Sequence, residues 1–375
     1  MTSANLDSNG GAVLAELLEL VGDRFSRAEP RRRAGQYVQG VLSGLARPNG
    51  WTLAEYAGEH HPNGMQRLLT TARWDVDGVR DDVRAWIGAR IGDPETGVLV
   101  PTEVGIRKKG NASVGVHRQY DGAAGRLENV QVGVFLSYLS RHGWALIDRE
   151  LYLPQDWLAD RELARRVGVP EGLRFADRVQ LALGMVGRAL DGGLPVSWVA
   201  VDEPGNGYGR LRGWLDRRGV CYVVAAAWYD PVVTVQRQAV RVRDLGPSVP
   251  GPAWRPYPSE AGSTAREWAG IPLAVPAHEV PGIEHTLLVR REVEGAAATG
   301  PARFGYYHCR AGAGTPIAVL ARVAGAPDEV RERVERARIE LGLDRYQVRR
   351  YEAWYRHVTL CLAAGAYLAA VRAGP

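Results

Sequence analysis

Apolar residues recur every three or four positions from Gly11 to about Gly92, then gather into short continuous or alternating runs. A helix buries one stripe at a 3.6-residue period, whereas a buried strand reads as a compact apolar block. A chain that carries the two patterns in succession is restricted to an α/β fold with a helical N-terminal region. Leu14, Leu17, Leu18 and Val21 define a first helical stripe, and Met65, Leu68, Leu69 and Ala72 define a later one. Between them, Thr52 followed by Glu55 predicts a capping box with Thr52 as the N-cap. Breaks are expected at Pro30, at Pro48-Asn49-Gly50 and at Pro62-Asn63-Gly64. Residues 1 to about 10 read as a loose tail.

Beyond residue 92, strands are predicted over 98–100, 113–116, 130–139 and 143–148. Helix returns over 155–192, followed by a strand at 198–201, a short helix at 211–217 and a buried strand at 220–225. A Pro/Gly-rich stretch from about Val232 to Phe304 holds short strands, those at 240–242 and 287–289 among them. A strand at 306–309 and further helix complete the chain. The expected organisation is a helical region over 1–92, the first part of an α/β core over 93–231, a β-rich insertion over 232–304, and completion of the core over 305–375. No internal repeat is visible.

Composition narrows the class without naming a function. The chain has 375 residues, 46% hydrophobic and 24% charged, which suits a folded protein. A net charge of +5 permits a polyanionic partner without requiring one. Lys108 and Lys109 are the only lysines; arginine forks onto phosphate well, but a GC-rich genome also inflates Arg over Lys and is the favoured account. Cys221, Cys309 and Cys361 lie far apart, with no CxxC or Cys/His metal spacing, and read as buried thiols in a reducing compartment. No apolar run reaches spanning length and no signal peptide opens the chain, so a cytoplasmic protein with no membrane partner is expected.

Chemistry concentrates in two places. Gly97-Val98-Leu99-Val100-Pro101-Thr102-Glu103-Val104-Gly105 is an apolar run ending in Thr102 and Glu103, followed shortly by Lys108-Lys109. Trp198-Val199-Ala200-Val201-Asp202-Glu203 is a second run, ending in two carboxylates. Together they resemble the catalytic strands of bacterial insertion-sequence DDE transposases, whose first run usually reads V-V-D-E-T-G. Further stretches are similar to the same family. They are Ser113 to Tyr120, Gly125 to Phe135, Asp148-Arg149-Glu150-Leu151-Tyr152-Leu153-Pro154, and Gly342-Leu343-Asp344 with Tyr346 to Arg350 and Trp354 to His357. Arg24-Phe25 and Glu29-Pro30-Arg31-Arg32 fit its N-terminal region.

That resemblance implies a ribonuclease H-like mixed-sheet core in which Asp, Asp and Glu hold two divalent metals. Hard Mg²⁺ takes oxygen ligands, and two such ions activate the attacking oxygen and stabilise the leaving one. Carried over residue by residue, the second acid is Asp202. The first acid's position is Thr102. Alignment on Gly342-Leu343-Asp344 places Arg331 where the family has its Glu, with Val330, Val334, Ala337 and Leu341 forming the apolar stripe of that helix. Glu332 is one residue, or about 100°, away from that position. Glu103 and Glu203 neighbour ligand positions, but adjacent strand residues face opposite ways, which favours structural roles for both. Two substituted ligands imply weak or lost Mg²⁺ binding, no intact metal site, no other expected cofactor, and no strand transfer.

Arg31, Arg32, Arg33, Lys108, Lys109, Arg118, Arg126, Arg349 and Arg350 are the candidate phosphate contacts, since such side chains bind backbone phosphate without reading sequence. Gly205-Asn206-Gly207-Tyr208-Gly209 lacks the Lys-Ser/Thr of a phosphate loop and reads as a turn. His60 and His61 read as exposed, and His117 and His357 as structural. The leading reading is a transposase-like nucleic-acid-binding protein, on DNA or tRNA, without strand-transfer activity. One alternative is a repurposed enzyme, such as an aminoacyl-tRNA-dependent transferase of specialised metabolism. Another is an active or decaying transposase. Oligomeric state is left open.

Overall fold

The computed structural model describes residues 8–121, 125–203, 208–257, 265–293, 304–346 and 348–374. Five helices come first: α1 (Ser8–Gly22), α2 (Ala28–Leu42), α3 (Gly50–Tyr56), α4 (Asn63–Thr70) and α5 (Val76–Ile91). Strands β1 (Val98–Arg107), β2 (His117–Asp121), β3 (Arg126–Ser140) and β4 (Gly143–Leu151) follow, then α6 (Gln155–Ala159), α7 (Arg161–Val167) and α8 (Arg178–Asp191). Next come β5 (Trp198–Val201), α9 (Tyr208–Arg218), β6 (Cys221–Ala225), β7 (Pro231–Val233), β8 (Ala239–Arg241), α10 (Val242–Leu245) and β9 (Arg255–Tyr257). The remainder is β10 (Ala265–Pro272), β11 (Ile283–Val293), β12 (Phe304–Gly312), α11 (Ile317–Glu340) and α12 (Tyr351–Ala373). The loose tail expected at the start lies, over 1–7, outside the described residues.

The chain divides into two compact units. The first holds α1–α5, β1 from Pro101 onward, β2–β4, α6–α8, and everything from Val330. Within it β3 runs beside β1 and pairs antiparallel with both β2 and β4. Helix α8 packs on β3 and β4, and α12 packs on β4, α5 and α2. Covered in this way, β3 is buried without interruption from Val130 to Leu139, which explains its continuous apolar run. Helix α12 is buried on nearly all sides, the pattern of a helix at the centre of a core. No helix among the described residues is long and apolar enough to cross a membrane.

The second unit comprises Val98–Val100 and Val196–Glu329. Here the start of β1 pairs parallel with β5, and β5 pairs parallel with β6 through the α9 crossover. Strand β12 returns antiparallel to β6, and β11, β10 and β9 extend the sheet antiparallel in turn. Trp254, Leu287, Val289 and Tyr306 lie at the heart of a separate apolar cluster beneath these strands. Parallel β1–β5–β6 together with the β1–β3–β4 succession makes this a ribonuclease H-like mixed α/β fold.

Local chemistry departs from the sequence expectation at several points. The cap of α3 is Asn49: its side chain accepts from the Trp51 and Thr52 amides, while Thr52 Oγ1 accepts from the Asn49 amide. Thr52 is therefore the reciprocal partner of the box, and Glu55 takes no part in it. Residues 113–116 form a turn ahead of β2. Gly115 has φ of +72° there, and a Cβ would lie 2.9 Å from the Tyr152 carbonyl, so the position needs glycine. Val114 and Val116 are buried by packing without pairing as a strand. The 155–192 stretch is broken where α7 ends at left-handed Gly168, and α8 restarts with an Asp177/Gln180 capping box.

Candidate functional site

In the first unit, β1 carries Thr102 and Glu103, both half-buried. Arg178, in the first turn of α8, donates to Glu103 Oε2 at 2.6 Å and to Gln119 Oε1 at 3.3 Å. Its guanidinium also lies 4.9 Å from the Tyr152 ring centre. Glu103 is thus held by a cation of its own unit. Arg331 and Glu332 lie on the exposed face of α11, where Glu332 pairs with Arg336 at 3.8 Å. The opposite face buries Val330, Val334, Ala337 and Leu341, the stripe read from the sequence.

In the second unit, Asp202 follows the last residue of β5 and is half-buried, with exposed Glu203 after it. The Tyr307 hydroxyl, on β12, donates to Asp202 Oδ1 at 3.4 Å. Tyr307 is almost wholly enclosed, and burial raises its pKa far above the ordinary value; the charges of Asp202 and Asp328 push the same way, against Arg290 and Arg266. Asp328 accepts from Arg266 Nη1 at 3.1 Å. Beside Asp202 opens a cleft of about 400 Å³, lined by Ala225–Ala227, Trp228, Tyr229, Arg290 and Phe304–Tyr307. Trp228 and Tyr229 expose about half their surface, and Arg243 stacks on Trp228 at 5.0 Å. Sequence reasoning missed this aromatic wall. Its signal was an exposed Trp-Tyr pair directly after a buried strand.

The candidate phosphate contacts are dispersed over the first unit. Arg31 and Arg32 are exposed on α2, while Arg33 turns inward to Glu29 at 3.0 Å and to Glu59. Lys109 and Arg118 are exposed. Lys108 lies 3.7 Å from the Tyr346 ring centre, and burial lowers its pKa to about 8 against the opposing charge of Asp344. Arg126 pairs with Glu128 at 2.5 Å, and Arg349 and Arg350 are exposed just before α12.

The histidines follow their expected settings. His60 and His61 are exposed. His117 bonds to Gly115 O and Gln119 Oε1, and His357 is buried against the Tyr37 hydroxyl at 2.7 Å. Of the glycine-rich turn at 205–209, residues 205–207 lie outside the described residues. Among those described, one group of side chains has metal-ligand spacing: Asp216, Glu279 and His285. Arg310 already fills it, donating to Glu279 at 2.6 and 2.8 Å and lying 3.8 Å from Asp216. A resident guanidinium supplies the positive charge that a metal would otherwise bring.

The chain matches the family described as DDE superfamily endonuclease over residues 21–248, more than half its length, and belongs to that family. No curated protein matches it. Membership makes the chain transposase-like and carries with it the family's general dealing with nucleic acid.

Proposed function

We propose that this chain is a nucleic-acid-binding member of its family that no longer carries out DDE strand transfer. The observation that carries the reading is the residue type at the three sequence positions that match the family's acids: Thr102, Asp202 and Arg331. Two divalent ions beside a phosphate need several anionic oxygens. A threonine hydroxyl adds no charge, and an arginine repels the ion, so these residues do not fit a two-metal centre and no step is routed through one. The neighbouring carboxylates support the same conclusion, since Glu103 is held by Arg178 and Glu332 pairs outward with Arg336.

One observation favours a second reading, retained nuclease activity. Asp328 precedes Arg331 by three residues on α11, close to one helical turn, and acts with Asp202 on the Tyr307 hydroxyl. Shared binding of one ion by the two carboxylates would require each to give up its present partners, Arg266 among those of Asp328. The deciding experiment incubates the purified chain with duplex and single-stranded oligonucleotides in Mg²⁺ and in Mn²⁺, with binding followed separately. Binding without cleavage in either metal supports the first reading. Cleavage abolished by Asp202→Asn and Asp328→Asn supports the second.

A further inference from the structure

We infer that the cleft between α2 and α4 is a phosphate-binding site, the place where the helical region grips the backbone of a nucleic acid; this rests on the nucleic-acid reading above. The cleft has a volume of about 450 Å³ and lies wholly within the first unit. Arg27, Arg33, Arg67 and Arg73 face it, with the hydroxyl-bearing Ser26 and Thr71 beside them. Glu29 is the only acid among the lining residues, and it is bonded to Arg33. Arg33 is further fixed by Glu59, and Gly64 makes room for it: a Cβ there would overlap the Arg33 guanidinium.

The other three arginines have no such counter-charge. Among the described residues, the side chains of Arg27 and Arg73 form no hydrogen bond or ion pair, and Arg67 has only a 3.4 Å bond to the Asn63 carbonyl. Three uncompensated guanidinium groups around one concavity repel one another, and an anion seated among them removes that repulsion. Helix α2 also opens onto the cleft, and its N-cap, Arg27, provides no side-chain acceptor to the first-turn amides. No aromatic side chain lines the walls, so nothing here stacks on a base. The shared chemistry is a phosphate group, supplied by a phosphodiester backbone or by a small phosphorylated molecule.

The test compares the wild-type chain with the triple variant Arg27→Gln, Arg67→Gln, Arg73→Gln. A control triple, Arg161→Gln, Arg165→Gln, Arg166→Gln, removes the same charge from exposed positions on α7. Duplex oligonucleotide affinity is measured across a salt series, and inorganic pyrophosphate binding by calorimetry. Each backbone phosphate released makes the salt slope shallower by about 0.9, so the cleft triple is expected to lose about 2 to 3 units of slope while the control changes little. Equal losses in both triples, or none in either, overturn the site. Failure of the wild-type chain to bind any oligonucleotide, with pyrophosphate binding that the cleft triple abolishes, removes the nucleic-acid reading and leaves a site for small phosphates. Wild-type binding of neither probe overturns both.

Discussion

Asp148→Asn should destabilise this protein by about 3 kcal/mol, within the range for breaking a buried ion pair from one side. Asp148 sits on β4 with no solvent exposure. Arg188 donates to it at 2.9 Å, and Arg84, Arg149 and Arg80 lie at 3.6, 3.7 and 3.8 Å. Arg80, Arg84 and Arg149 are themselves buried, so their charges cannot be returned to water when the carboxylate is neutralised. The loss is held near the low end of the range because each retains another acid. Arg149 keeps Asp77 at 3.0 Å, Arg84 keeps Asp81 at 2.7 Å, and Arg188 keeps Glu150 at 2.7 Å.

The comparison is Asp81→Asn, which removes an acid of the same network whose side chain is 44% exposed. There the loss should stay at or below about 1 kcal/mol, as for exposed pairs. Urea unfolding followed by circular dichroism measures both variants. With an unfolding entropy that grows with chain length, 375 residues correspond to about 1.3 °C per kcal/mol, so Asp148→Asn should also lower the melting temperature by about 4 °C. Equal effects of the two substitutions, or a more stable Asp148→Asn protein, would refute the claim that burial of the single shared carboxylate sets the cost.

Three further outcomes are expected. Asn49→Ala removes both the acceptor for the first amides of α3 and half of the capping box, and should cost about 1 kcal/mol in the same unfolding assay, whereas Glu55→Ala should cost little. Glu279 has its pKa lowered from 4.5 to about 2, chiefly by the hydrogen bond from Arg310. Its contribution is present above pH 4.5 and is lost as pH falls toward 2, so Glu279→Gln should flatten the stability profile in that window. Burial depresses His357 to about pH 4. The unfolded chain therefore binds this proton first, and stability should fall as pH drops from 6.5 toward 4; an NMR titration in which the His357 ring protonates near pH 6.5 would contradict this.

The sequence alone determined the elements whose signals are local. The apolar blocks at 98–100, 130–139 and 198–201 lie in strands, as does 220–225 from Cys221 onward, and the stripe from Val330 to Ala337 faces inward on α11, with buried Leu341 just beyond its end, because periodicity and side-chain volume act over a few residues. The identities of Thr102, Asp202 and Arg331 could also be read from the chain, since they depend on residue type. Only the tertiary structure decided which charges meet. Glu103 finds Arg178 from 75 residues away, and Asp148 collects arginines from α5, β4 and α8. Tyr307 reaches Asp202 across 105 residues, and Arg27, Arg67 and Arg73 come to share one cleft. Coulombic pairing and hydrogen bonding leave no periodic trace in a sequence. The partner of a charged side chain is fixed by where packing carries the backbone, and the two readings of this site turn on that placement.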